Sequence, residues 1–169
     1  MKKIKLATLW LDGCSGCHMS LLDLDEALIP LGAKVDLVYG PLVDAQVFPK
    51  SVDVTLVEGA ISSQEDLEKA RLIRSRSKLV VALGDCAVTS NVPAMRNNIP
   101  VKKLLEGIYG TPPTDGVPSL LKHTVPLHEA IKVDLHLPGC PPTAKAIAAV
   151  IGDLLEGRLP DVAGKVRFG

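Results

Sequence analysis

The sequence predicts an α/β fold, a flavodoxin-like three-layer sandwich with a parallel sheet in strand order 2-1-3-4-5. Two observations lead there. Short apolar, β-branched runs alternate with segments of helical spacing, which implies right-handed crossovers and a parallel sheet covered on both faces. The chain also has 169 residues with 47% apolar content, enough to bury one core of ordinary size, so residues 1–169 read as a single domain.

The elements follow in order. Ile4 to Trp10 alternates as a buried strand, and Ser15 to Leu31 carries Met19, Leu22 and Ile29 near helical spacing. Val35 to Tyr39 and Val52 to Val57 are β-branched strand runs between turn residues. Ser62-Ser63-Gln64-Glu65 has the Ser-x-x-Glu form of a capping box; Leu67, Ala70 and Ile73 then mark a helix to about Ser77. Lys78 to Leu83 and Val133 to Leu137 are continuous apolar strands, stopped by Gly84 and by Pro138-Gly139. The last helix spans about Thr143 to Glu156. The exception is a Pro-rich insertion at about 87–129, with Pro93, Pro100, Pro112, Pro113, Pro118 and Pro126 and one short helical segment at Val101 to Gly107. A loop of that length inside a compact domain is expected to be functional, here as surface buried against other subunits.

Composition narrows the function. Nineteen basic and nineteen acidic residues cancel, so no global field exists to hold nucleic acid. No apolar stretch approaches the roughly 20 residues of a membrane span. Lys2 and Lys3 lead straight into a strand pattern rather than a signal sequence, and a cytoplasmic location is the expectation. The mean hydropathy of +0.25 leaves apolar surface for a partner to cover. No Gly-x-Gly-x-x-Gly or Walker sequence is present to cradle a nucleotide phosphate.

Cys14, Cys17, Cys86 and Cys140 all follow predicted strands, at the carboxyl edge where open α/β sheets bind ligands. Two disulfides are little needed by a chain with a core of its own. A thioredoxin-like pair at Cys14 and Cys17 leaves the other two cysteines unexplained. A four-thiolate site remains, either zinc or an iron–sulfur cluster. Zinc ribbons bring two Cys-x-x-Cys knuckles, whereas here there is one, and a cluster tolerates the scatter better. Glycine before each of Cys14 and Cys17 lets backbone N–H groups approach sulfur closely.

Together, Leu9-Trp10-Leu11-Asp12-Gly13-Cys14-Ser15-Gly16-Cys17, Val57-Glu58-Gly59-Ala60-Ile61, Gly84-Asp85-Cys86-Ala87 and Pro138-Gly139-Cys140-Pro141-Pro142 resemble the small subunit of [NiFe] hydrogenases. The resemblance runs from Leu9 to about Gly157. It implies that the four cysteines hold one [4Fe–4S] cluster, next to a NiFe centre on the large subunit. The related cluster subunit of respiratory complex I has two adjacent cysteines where this chain has Cys14-x-x-Cys17. Periplasmic uptake hydrogenases carry a leader and further cluster cysteines, so a short, one-cluster subunit is the expectation. Cys86 to Pro93 with Met95-Arg96-Asn97 looks most like the cytoplasmic bidirectional, NAD-reducing type, which implies iron–sulfur and FMN-bearing diaphorase partners that meet NAD. Coenzyme F420-type small subunits are the near alternative, and a zinc-binding module or thiol–disulfide enzyme the distant ones.

Glu58 ends the third strand at the same edge and is expected beside the cluster, with proton relay a further role; the isolated chain is expected to turn over nothing and to hold no catalytic residue. His18 reads as a structural or exposed first-turn histidine. Asp12 and Asp85 read as turn-closing carboxylates. His123, His128 and His136 read as structural.

Overall fold

The structure is a computed structural model that describes residues 3–112, 115–162, 164, 166 and 168; Met1, Lys2, Pro113 and Gly169, all part of the sequence reading, lie outside the described residues. Along the chain run β1 (Ile4–Trp10), α1 (Gly16–Leu22), α2 (Leu28–Lys34), β2 (Val35–Tyr39), β3 (Val52–Glu58), β4 (Ile61–Ser63) and α3 (Gln64–Arg76). They are followed by β5 (Ser77–Leu83), α4 (Asp85–Thr89), α5 (Val101–Tyr109), β6 (Leu120–Val125), α6 (Leu127–Ala130), β7 (Leu135–Leu137) and α7 (Ala144–Leu155). Single 3-10 stretches occupy Asp25–Ala27 and Val92–Asn98.

The main sheet is parallel in the order β2-β1-β3-β5-β7. Counting only its own strands, this is the expected 2-1-3-4-5. Alternation sends Leu6, Leu56, Val81 and Leu83 to a face covered by Leu21 of α1 and Ile147, Val150 and Ile151 of α7. Leu9, Val57, Val80 and Ala82 go to the other face, under Ala70 and Ile73 of α3 and Leu127 of α6. Each Leu, Ile or Val among them contributes about 1.5–3 kcal/mol on burial. An exposed pair like Lys69–Glu65 is screened by solvent and contributes far less. Strand burial therefore holds the fold.

Register fixes where the strands stop. Trp10 lies opposite Glu58, Glu58 opposite Leu83, and Leu83 opposite Leu137, so four strands end along one line. The chain leaves β1 toward β2 on one side, while β3 lies on the other. That reversal makes a crevice at the carboxyl ends of β1 and β3.

Several expected boundaries move. The helix expected over Ser15 to Leu31 is broken into α1, one 3-10 turn and α2. Pro30 cannot sit in a helix interior, but it is tolerated in the first turn of α2. The capping box is one residue later than read: Asp66 N–H donates to Ser63 Oγ (3.1 Å) and Ser63 N–H donates to Asp66 Oδ2 (2.9 Å). The stretch 87–129 is not a long loop. It holds α5, β6, α6 and a 3-10 segment; Pro93 opens the last of these, Pro100 precedes α5 and Pro126 precedes α6. β6 pairs antiparallel with β4 in a small second sheet.

His128 of α6 and His136 of β7 meet edge to face, with ring centroids 5.7 Å apart, so two of the three dispersed histidines are neighbours. Burial first, and then His128, hold the His136 imidazole below its ordinary value of 6.5. The neutral form is the one the fold favours. Below about pH 6.5 the unfolded chain binds the proton more readily, so the stabilisation present above that pH is lost as pH falls. Denaturant midpoints at about pH 7.5 and about pH 5.5 should show a drop that is smaller in His136→Gln than in the parent chain. Equal drops would remove His136 as the cause.

Candidate metal centre

The loop after β1 folds back on the chain after β3. Leu11 N–H donates to Glu58 O (2.9 Å), Asp12 N–H to Ala60 O (3.1 Å) and Ala60 N–H to Asp12 O (2.8 Å). This crossing requires Gly59, whose φ is +94° and whose Cβ would lie 2.8 Å from the Leu11 carbonyl carbon. The loop then delivers Cys14, and Ser15 with φ 64° turns the chain into α1, which begins at Gly16 and carries Cys17 in its first turn.

Ser15 makes no side-chain cap. Glu58 does that work from another strand: its Oε2 accepts the His18 backbone N–H at 2.9 Å and lies 2.5 Å from His18 Nδ1. Glu58 is 1% exposed and His18 3%, so the pair is enclosed. A carboxylate at this helix start satisfies an orphan amide and complements the positive end of the helix. The same bond ties β3 to the loop that holds Cys14 and Cys17.

Two more ties complete the frame. Asp85 N–H donates to Gly139 O (2.9 Å) and Asp85 Oδ1 accepts Gly139 N–H (2.6 Å), locking the Cys86 loop to the Cys140 loop. Ser20 Oγ donates to Pro142 O at 2.5 Å, joining α1 to the Cys140 loop, while Asn91 Nδ2 lies 3.7 Å from Cys140 Sγ. Gly84, with φ +82°, ends β5 directly against Cys17; a Cβ there would sit 2.2 Å from the Cys17 sulfur. The glycine leaves the room that the sulfur uses.

The structure brings all four cysteines to this edge as free thiols, Cys17 buried, Cys86 partly buried, Cys14 and Cys140 exposed. Burial pushes the Cys17 thiol far up, and Glu58 and then the other three cysteines push it further. The Cys86 thiol is pushed up to about 11, by burial first and then by Cys14, Cys140, Glu58 and Asp12. Cys14 and Cys140 both act on Cys17 and on Cys86, so the four sulfurs lie close together at this edge. A cation bound at Cys17 and Cys86 would offset that cost and release their protons. Among the described residues no three His, Cys, Asp or Glu side chains close on a single-ion position.

Glu58 stands at the edge where it was expected. His18 was undervalued: it is the buried partner of Glu58. Asp85 was misread as a local turn residue, since its carboxylate reaches a loop on another strand. Ser20 and Asn91 were missed; a serine on the buried side of a short apolar helix was the one signal available. His123 does not join the site, and the Asp12 backbone bridges Ala60.

Residues 14–154, a span with all four cysteines, match the family described as NADH ubiquinone oxidoreductase, 20 Kd subunit. The chain belongs to this family. Within it, the chain is 37% identical over 176 residues to the NAD-reducing hydrogenase HoxS subunit delta of Cupriavidus necator, covering 97% of this chain and 84% of that one. It is 38% identical over 172 residues to a vhu subunit of the F420-non-reducing hydrogenase of Methanocaldococcus jannaschii, covering 96% of this chain but only 60% of that relative. The crystal structure of an NAD+-reducing [NiFe]-hydrogenase in the H2-reduced state superposes with a TM-score of 0.95 at 37% identity, over 99% of this chain and 100% of the matched one. The [NiFeSe]-hydrogenase of Dm. baculatum shares the fold, with a TM-score of 0.64 at 20% identity over 99% of this chain and 70% of that one. The chain is thus a homologue of hydrogenase subunits.

Glu58→Ala should cost about 2–4 kcal/mol in a denaturant titration, because it strands the His18 amide and ring without their acceptor. Glu58→Gln, which keeps an acceptor oxygen, should cost less. Gly84→Ala should lower the iron taken up on reconstitution while the far-ultraviolet spectrum persists; undiminished uptake would mean that Cys17 can move aside.

Proposed function

We propose that this chain is the electron-transferring small subunit of a cytoplasmic, NAD-linked [NiFe] hydrogenase, with one [4Fe–4S] cluster on Cys14, Cys17, Cys86 and Cys140. The convergence of four thiols from three strand-end loops carries this reading. The cluster supplies one-electron transfer between a NiFe centre on a large subunit and iron–sulfur and FMN-bearing diaphorase subunits that meet NAD. H2 and NADH each exchange two electrons, so both two-electron sites belong on partners.

The chain's own residues hold and orient. Glu58 fixes the start of α1 and so the direction of Cys17; Asp85 fixes Cys86 relative to Cys140; Asn91 offers an N–H to the Cys140 sulfur. Ligands held this firmly suit electron transfer, which calls for little rearrangement. Among the described residues no helix is long and apolar enough to cross a membrane. Glu58 is a positioning residue in this reading, since its carboxylate is engaged by α1.

The NAD-linked type rests on the 84% coverage of the Cupriavidus necator relative and the 0.95 TM-score. A second reading, a small subunit of the methanogen type that uses another acceptor, is favoured by the equally high identity to the Methanocaldococcus jannaschii relative.

Reconstituted chain should contain about four iron and four acid-labile sulfide, and Ser at any of the four cysteine positions should bleach the brown absorbance or give a three-iron form. Zinc without sulfide would establish the binding-module reading instead. In the assembled complex, Cys17→Ala should abolish H2-dependent NAD reduction while NADH oxidation by artificial acceptors survives. Normal H2-to-NAD turnover without the cluster would reduce the chain to a scaffold, and H2 turnover that ignores NAD would select the second reading.

A further inference from the structure

A groove of about 410 Å³ lies beside the metal centre, between α5 and the β4–β6 pair. Its walls are Trp10, Leu104, Leu105, Ile108, Tyr109 and Val117. In α5 the apolar residues 101, 104, 105 and 108 recur at helical spacing and form one stripe, with Lys102, Lys103 and Glu106 on the other side. Yet none of its residues is buried, and Ile108 is 64% exposed. A free apolar stripe facing a half-exposed tryptophan marks a contact surface.

The polar lining specifies what fits. Asp12, Glu65, Asp66 and Arg96 line the same groove. Arg96 Nη2 donates to the carbonyls of Ser62 (2.9 Å) and Leu121 (3.1 Å), so the guanidinium braces the β4–β6 backbone. Asp66 accepts from Ser62 and Ser63, and Glu65 pairs with Lys69 of its own helix. Among the described residues neither Asp12 nor Asp66 has a cationic partner. The groove is apolar with surplus negative charge.

We propose that this groove receives a segment of a partner subunit that carries apolar anchor side chains beside lysine or arginine. Apolar anchors fill the walls, and the cations meet the carboxylates of Asp12, Glu65 and Asp66, which outnumber the one guanidinium of the lining. An acidic segment would be repelled. A two-fold contact with a second copy would set the same negative lining against itself. The indole Nε1–H of Trp10 donates to Gly13 O at 3.0 Å, so the groove wall continues into the Cys14 loop, and a segment seated there lies against the metal centre. The inference rests on the reading that the chain works inside a multisubunit complex.

The test uses the full chain, co-produced with the subunits it assembles with, and compares Ile108→Glu, Glu65→Lys and the distant control Ile29→Glu, at a residue 76% exposed on α2. Ile108→Glu should weaken assembly by about tenfold or more. Glu65→Lys should weaken it most at low salt and flatten its salt dependence. The control should assemble like the parent. Parent-like assembly of both groove variants, or an equal loss in the control, would overturn the proposal. Tighter assembly of Glu65→Lys would assign an acidic partner instead, and self-association of the parent that Ile108→Glu abolishes would assign a second copy. Iron and sulfide are measured on the same samples, so groove-dependent assembly without iron would sink the electron-transfer reading and leave this one standing.

Discussion

The carboxylate of Glu58 is the constraint from which the rest of the site follows. A helix that begins at Gly16 with a left-handed Ser15 before it has amides to satisfy and no side chain of its own to do so. Glu58 reaches across from β3 to supply the acceptor, and in doing so sets the angle at which Cys17 enters the sheet edge. The close crossing at Gly59 makes that reach possible, because it brings the β1 loop against the end of β3. Without the carboxylate, an enclosed amide and a buried imidazole would both lose their acceptor.

The electrostatics of the edge point the same way. Burial, Glu58 and mutual repulsion all hold Cys17 in its protonated form, and burial and the neighbouring cysteines do the same to Cys86. The fold therefore favours neither Cys17 nor Cys86 as a bare thiolate, and a metal bound at these sulfurs would supply the neutralising charge. This differs from a catalytic cysteine, whose surroundings lower its pKa so that the thiolate exists alone.

Much of this was legible before any coordinates. One alternating run, two β-branched runs and two continuous apolar runs marked the five strands of the main sheet, and every cysteine stands just beyond one of them. What escaped reading were contacts between residues far apart in the chain, such as Glu58 with His18 and Asp85 with Gly139, which have no local pattern. The capping box slipped by one because two serines and two acidic residues stand side by side. β6 escaped because Leu120–Val125 interrupts its apolar residues with Lys122 and His123, and its partner β4 is three residues long. The prolines of the 87–129 stretch looked like marks of a loop, whereas three of them open or precede elements.

The order of the strands also decides when the site can exist. Cys14 and Cys17 lie near the start of the chain, but Cys140 arrives only after β7, an edge strand and the shortest of the main sheet, has paired with β5. A growing chain that has not yet reached Leu137 offers three thiols and an open edge at Val81 to Leu83. The four-cysteine edge is therefore complete only when the whole sheet has closed, and before that an entire side of it is missing.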